Sequence, residues 1–163
     1  MSTFIAPEMK PAQAAFEDGR YAEAAPLYER AAVATHAAGE ALMWKMTAIV
    51  AVKAYALAGD PANALRFATS TLDVLHSGGH AGEVPGIAKK CLEALRAQGH
   101  GAQADALSAH VGQLMGGQWS DPDAPKLAAF CVSCGAAVKP AEVVRPTPTT
   151  VACRYCGVSL DAR

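Results

Sequence analysis

Apolar residues recur at three- and four-residue steps through the first two thirds of the chain. Ala24, Leu27, Tyr28 and Ala31 fall on one helical face, as do Ala64, Phe67, Ala68 and Thr71. Cys91 shares a face with Ala88, Leu92 and Leu95, which suits a buried free cysteine. This spacing predicts six helices, over roughly residues 8–18, 21–36, 40–58, 61–76, 84–98 and 102–115. Beyond residue 117 the helical step is lost. Gly116-Gly117-Gln118-Trp119-Ser120-Asp121-Pro122-Asp123-Ala124-Pro125 reads as a linker. Within it, Trp119 is large and apolar, and is expected to dock against the last helices. Short apolar runs then predict small strands: Leu127 to Phe130, Val143-Val144 after a turn at Lys139-Pro140, Val151-Ala152, and Val158 to Leu160. The proline- and threonine-rich segment from Arg145 to Thr150 is expected to be a loop.

The helical region also repeats itself. Gly19, Gly59 and Gly99 lie forty residues apart, and alanine stands three and five residues past each of them. The register extends upstream through Ala14, Ala54 and Ala94, and downstream through the match of His36-Ala37-Ala38-Gly39 to His76-Ser77-Gly78-Gly79. A fixed period of this length marks a stack of identical units. Each unit is expected to be a helical hairpin. The glycine ends one helix in a left-handed conformation that other residues adopt only at a cost. Asp60-Pro61 reads as a helix start, with aspartate as cap and proline in the first turn. Alanine, the best helix former, lets the helices approach closely.

The segment Gly19-Arg20-Tyr21-Ala22-Glu23-Ala24-Ala25-Pro26-Leu27-Tyr28-Glu29-Arg30-Ala31 resembles the tetratricopeptide repeat family: a glycine turn, small residues at Ala24 and Ala31, an aromatic at Tyr28. The resemblance covers about residues 8–115 as three repeats. The later copies depart from it, with Ala68 and Ser108 in place of the aromatic and a period of forty rather than the family's 34. A HEAT-like hairpin array is the alternative. The fold class implied is mainly α, an α-helical hairpin solenoid of about three repeats. The resemblance implies a protein-binding groove lined by the first helix of each hairpin, with Gln13, Phe16, Lys53, Lys89, Glu93 and Arg96 as partner-binding candidates.

Chemistry enters with the cysteines. Cys131-Val132-Ser133-Cys134 and Cys153-Arg154-Tyr155-Cys156 are two C-x-x-C pairs separated by eighteen residues. Two thiolates on one tight turn, met by two from another, complete a tetrahedral metal site. Gly135 and Gly157 follow the pairs and let the backbone curl, so that amides point at the sulfurs. The region resembles the zinc ribbon family over about 35 residues. The resemblance implies a small β module built on Zn2+ bound by Cys131, Cys134, Cys153 and Cys156. Iron is the competitor, because rubredoxins carry similar knuckles for electron transfer. Their second knuckle usually has proline after the first cysteine, where this chain has Arg154, and their aromatic cluster is missing. The domain reading is therefore a repeat domain over 1–117, a linker over 118–126 and a zinc ribbon over 127–163.

Composition and charge narrow the function. Residues 1–117 carry nine Lys and Arg against eleven Asp and Glu, and residues 118–163 carry five against four. Neither part attracts a polyanion strongly, so nucleic acid is not the expected partner. The alternative is binding of nucleic acid, or of the transcription or translation machinery, through Arg145, Arg154, Tyr155 and Arg163. The first residues lack a basic segment followed by a long apolar core, and no apolar run reaches membrane-spanning length. Paired C-x-x-C motifs in that context suggest a reducing compartment, the cytoplasm. His76 and His80 have no partner ligands nearby and are expected at helix ends. His100 and His110 join no catalytic set, no phosphate-binding glycine loop follows a strand, and a four-thiolate site leaves no open position for substrate. The expectation is a non-enzyme, an adaptor or scaffold that binds another protein or a protein complex.

Overall fold

The computed structural model describes residues 6–121, 129–139, 143–147 and 150–160. The protein is mainly helical and divides into two compact units, residues 1–120 and 121–163. Among the described residues the first unit holds six α-helices: α1 Met9–Glu17, α2 Tyr21–Ala37, α3 Ala41–Leu57, α4 Pro61–Ser77, α5 Val84–Ala97 and α6 Gly101–Leu114. Their limits agree with the six sequence-derived helices to within a few residues. Each helix packs on its chain neighbour, from α1 on α2 to α5 on α6. In addition α5 packs on α3, and α6 on α4. No helix among the described residues is long and apolar enough to cross a membrane.

One turn is used at every helix junction. Gly19, Gly39, Gly59, Gly79 and Gly99 stand twenty residues apart, and all have φ between 72° and 84°. An added side chain would be strained in that conformation. The residue after each glycine donates its amide to the carbonyl five positions back: Arg20 to Ala15, Glu40 to Thr35, Asp60 to Tyr55, His80 to Leu75 and His100 to Leu95, at 2.8–3.0 Å. This is the closure that satisfies the last carbonyls of a helix. Gly117 bonds Gly112 in the same way at 2.8 Å, and ends α6. The forty-residue period is thus a twenty-residue helix-and-turn unit used twice. Only α5 departs from the register. A 3-10 turn, Ala81–Glu83, occupies its expected first turn, and Pro85 sits at the helix start. Gly82 and Gly86 are both weak helix formers at this end.

The core is built from small residues with a few large ones between them. Ala24, Ala31, Ala51, Ala64, Ala68, Ala88 and Ala104 are fully enclosed, and Leu72, Leu75, Leu92, Leu95 and Leu107 fill the space beyond them. Burying one such leucine is worth roughly 1.5–3 kcal/mol relative to exposing it. Thr35, Thr47 and Thr71 are buried, and each turns its hydroxyl back onto the carbonyl four residues earlier, at 2.8–2.9 Å, so that none of these three hydroxyls is stranded. Trp119 packs on this helical core, as do Leu114 and Met115. The stretch from Pro122 to Lys126, the rest of the expected linker, lies outside the described residues.

Polar links tie the helices together. Tyr55 on α3 donates its hydroxyl to Glu29 on α2 at 2.6 Å, and Arg66 on α4 holds both oxygens of the same carboxylate at 2.8 and 3.0 Å. Burial would raise the Glu29 pKa, but the hydrogen bonds from Arg66 and Tyr55 outweigh it and hold the carboxyl below its usual 4.5. Burial and the neighbouring carboxylate push Tyr55 up to about 12. His110 on α6 meets Asp73 on α4 at 2.8 Å, and His100 reaches the Ala56 carbonyl on α3 at 3.0 Å.

The second unit has little regular structure. Strands β1, Val144–Thr147, and β2, Thr150–Ala152, pair antiparallel, with Val144 opposite Ala152 and Thr147 opposite Thr150. The structure therefore corrects the loop expected from Arg145 to Thr150, because β1 runs through most of it. Pro146 is tolerated there because in a two-stranded ribbon every strand is an edge, where a missing amide need cost no ladder bond. Isolated bridges join Phe130 to Ala137 and Ala152 to Ser159. The run from Leu127 to Phe130 is described only at its last two residues, and Pro140 lies outside the described residues.

Candidate metal centre

The two C-x-x-C segments fold into turns with the same hydrogen-bond pattern, offset by twenty-two residues. In the first, Cys131 donates its amide to the Ala136 carbonyl and accepts at its own carbonyl from Gly135, both at 2.8 Å. In the second, Cys153 bonds Val158 at 2.9 Å and Gly157 bonds Cys153 at 2.8 Å. Gly135 and Gly157 have φ of 70° and 72°, the left-handed conformation that lets each turn close behind its second cysteine. A bond from Val138 to Ala129 and one from Leu160 to Val151 then clamp the base of each turn, at 2.9 and 2.8 Å.

This curl brings all four sulfurs together. Every pair of Sγ atoms among Cys131, Cys134, Cys153 and Cys156 lies within 4.8 Å. The cross-turn pairs Cys131–Cys156 and Cys134–Cys153 are 3.7 and 3.8 Å apart. A disulfide needs about 2.05 Å, so the cysteines are unbridged thiols. A tetrahedral ion with metal–sulfur bonds of about 2.3 Å places its sulfurs about 3.8 Å apart, close to the two cross-turn separations. The donor set and its spacing therefore fit a metal ion.

The surroundings favour charged sulfur at Cys131 and Cys153. The backbone amides of Cys134 and Ser133 point at the Cys131 thiol and pull its pKa down to about 7. The amides of Cys156 and Tyr155 do the same for Cys153, which is also lowered. The Ala136 amide pulls the Cys134 thiol down, but desolvation and the neighbouring thiols outweigh it and push it up to about 12. An ensemble that shares charge in this way is what a cation resolves, since a bound metal deprotonates its thiol ligands outright. Cys131 and Cys153 are buried with Val151 and Leu160, while Cys134 and Cys156 are exposed. At the exposed rim the Arg154 guanidinium lies 5.3 Å over the Tyr155 ring, and Phe130 and Val132 are open to solvent. Arg163 and the side chain of Arg145 lie outside the described residues.

The other sequence-derived candidates are distributed along the helical unit. Phe16 is partly buried, edge-on to Tyr21 and Tyr28, and Lys53 from α3 stands 5.9 Å over its ring. Gln13, one turn earlier on α1, bonds Glu17 at 2.9 Å. Lys89, Glu93 and Arg96 lie together on α5, with Lys89 and Glu93 3.9 Å apart. Phe16 and Lys53 thus come together across two helices, and Lys89 and Glu93 pair along one. Cys91 is buried, and desolvation pushes its thiol up to about 12, so it is inert in the folded unit. Sequence reasoning missed the Glu29–Tyr55–Arg66 cluster and the pairing of Lys45 with Glu83 at 2.5 Å, a contact that His80 joins at 3.1 Å. Nothing in the local pattern marks these groups, which are brought together only by packing.

No family model, curated protein or solved structure matches the chain.

Proposed function

We propose that this chain is an adaptor of the cytoplasm. Three helical hairpins, similar to tetratricopeptide repeats, offer one surface to a partner protein, and a C-terminal zinc ribbon offers a second. The observation that carries the reading is the closed sulfur cluster. Four thiols close enough to ligate one ion would fill every position of a tetrahedral site, so an ion held there would organise a fold and have no place for substrate. A unit with so small a core depends on such an ion: Val151 and Leu160 are the buried large aliphatics among its described residues. The regular twenty-residue helix-and-turn unit supports the repeat reading, because stacked identical hairpins create long binding surfaces. Reduced cysteines in this pattern suit a reducing compartment.

The test combines metal content with partner capture. Protein purified from cells should be colourless and carry one zinc per chain by elemental analysis. A red protein containing iron would replace zinc with an electron-transfer centre. Full-length bait should retain a partner that a Phe16→Ala, Lys53→Glu double variant loses. Retention of no protein by the wild type, or equal retention by both, overturns the adaptor reading as built on this groove.

A further inference from the structure

The second unit turns many of its large apolar side chains to solvent. Among the described residues the helical unit, with its six helices, leaves Val33, Leu42 and Met46 open. The far shorter second unit leaves five: Val132 is 91% exposed, Phe130 and Tyr155 64%, Val144 50% and Val158 37%. These five are gathered around one point. Phe130 and Val132 flank Cys131, Tyr155 precedes Cys156, and Val158 follows it by two residues; the sulfurs of both cysteines lie in the four-sulfur cluster. Val144 stands opposite Ala152, the neighbour of Cys153. Apolar side chains grouped in this way on a surface mark an interaction site.

Charge narrows what covers the patch. Residues 127–163 carry four Lys and Arg against two Asp and Glu. Two of these cations stand at the patch. Arg154 lies 5.3 Å over the Tyr155 ring, and Lys139 lines a small hollow with Arg154, Tyr155 and Val143. We propose that this patch is the docking site of the small unit, and that its occupant is a segment of another protein that sets acidic residues beside Leu, Ile or aromatic side chains. The inference rests on the adaptor reading and deepens it, by giving the second surface its residues and its partner chemistry. The partner's apolar side chains cover the valines and the two rings, and its carboxylates face Lys139 and Arg154. Two other occupants fit less well. A nucleic-acid strand stacks its bases on aromatic rings, whereas three of the five exposed side chains are valines, and a charge excess of two (four cations less two acids) releases few counterions. A second copy docked symmetrically sets the patch against itself, cation facing cation.

The experiment uses the full-length, metal-loaded protein and, as probe, a phage-displayed library of random twelve-residue peptides. Selected peptides should be enriched in Asp and Glu next to Leu, Ile, Phe or Trp, and depleted of Lys and Arg. One of them is then synthesised and followed by fluorescence anisotropy. Val132→Glu should weaken its binding at least about tenfold, because a carboxylate then meets the partner's acids in the middle of the contact. Val132→Lys removes the same valine but keeps the attractive sign, and should lose less. The Phe16→Ala, Lys53→Glu double variant should bind this peptide as the wild type does. The Val132 side chain is almost wholly exposed, so both Val132 variants should keep the metal content and circular dichroism of the wild type. Peptides without acidic enrichment, equal losses in the two Val132 variants, or binding that neither variant weakens overturns the inference. If the Phe16, Lys53 variant loses that binding instead, the adaptor reading stands on the helical groove alone. A thymidine dodecanucleotide bound more tightly than the selected peptide assigns the patch to nucleic acid and overturns the inference. Self-association in sedimentation that Val132→Glu abolishes assigns it to a second copy, with the same consequence. Selection of no peptide at either surface overturns the adaptor reading as well.

Discussion

The two units use the same backbone device to different ends. In the helical unit a left-handed glycine, followed by a long-range amide bond, stops a helix and sends the chain into the next one, as at Gly19, Gly39 and Gly59. In the cysteine unit Gly135 and Gly157 adopt the same conformation, but the turn they close wraps backbone amides around a sulfur. What differs is the source of stability. The helical unit spreads its burial over alanines and leucines on all six helices, so no one contact decides its fold. The buried core described in the other unit is Cys131, Val151, Cys153 and Leu160, and two of these four are proposed ligands. Turn geometry alone therefore fixes neither fold; what the turn encloses does.

The sharpest way to break this contrast is to remove the ion proposed for the four cysteines. Chelation, or Cys153→Ser, should unfold the small unit completely, because metal binding supplies on the order of 10–16 kcal/mol in comparable peptides. Far-ultraviolet circular dichroism should keep its helical signal, while the nuclear magnetic resonance signals of Val151 and Leu160 collapse to random-coil positions. Melting of the helices in the same step would mean that the units are not independent. The converse test is Leu72→Ala. It opens a cavity in the helical core and should cost about 2–5 kcal/mol in denaturant unfolding, with metal content unchanged.

Smaller effects sharpen the account of the helical unit. The Asp60 side chain accepts from the Asn63 amide at 3.1 Å and caps α4. Asp60→Ala should lower stability by about 1 kcal/mol, measured by urea unfolding, with a midpoint shift confined to the helical transition. The Glu29 cluster predicts a pH effect. Its folded pKa is depressed, so its contribution is fully present above the unfolded value near 4.5 and is lost as pH falls through the folded value. Arg66 is half exposed, which limits the contribution to about 1 kcal/mol or less. Glu29→Gln should flatten this part of the acid limb of a stability–pH curve. An unchanged acid limb would show that the carboxylate contributes nothing there.

The helices were legible because each one carries its own signals. Ala64, Phe67, Ala68 and Thr71 mark a buried face, and Asp60-Pro61 marks a start. These depend on neighbours three and four residues away, and the structure buries all four of those face residues. The closeness of the cysteines was legible from spacing, since a C-x-x-C turn constrains its own sulfurs. Arg145 to Thr150 misled because proline and threonine suggest a loop, whereas pairing with β2 is decided by a partner strand. The burial of Phe16 against Tyr21 and Tyr28, and the junction of Glu29, Tyr55 and Arg66, join residues on separate helices. The pattern along any single helix does not record which neighbour its exposed side meets. The twenty-residue turn spacing was present in the sequence as Gly19, Gly39, Gly59, Gly79 and Gly99, but the longer forty-residue match obscured it.

In the proposed metal centre four sulfurs alone hold a structural ion. X-ray absorption at the zinc edge on the purified full-length protein tests it most directly. The expected spectrum shows four sulfur neighbours at about 2.3 Å, with one zinc per chain. A zinc edge with an oxygen or nitrogen neighbour in place of a sulfur, or a protein that carries no metal, would contradict it.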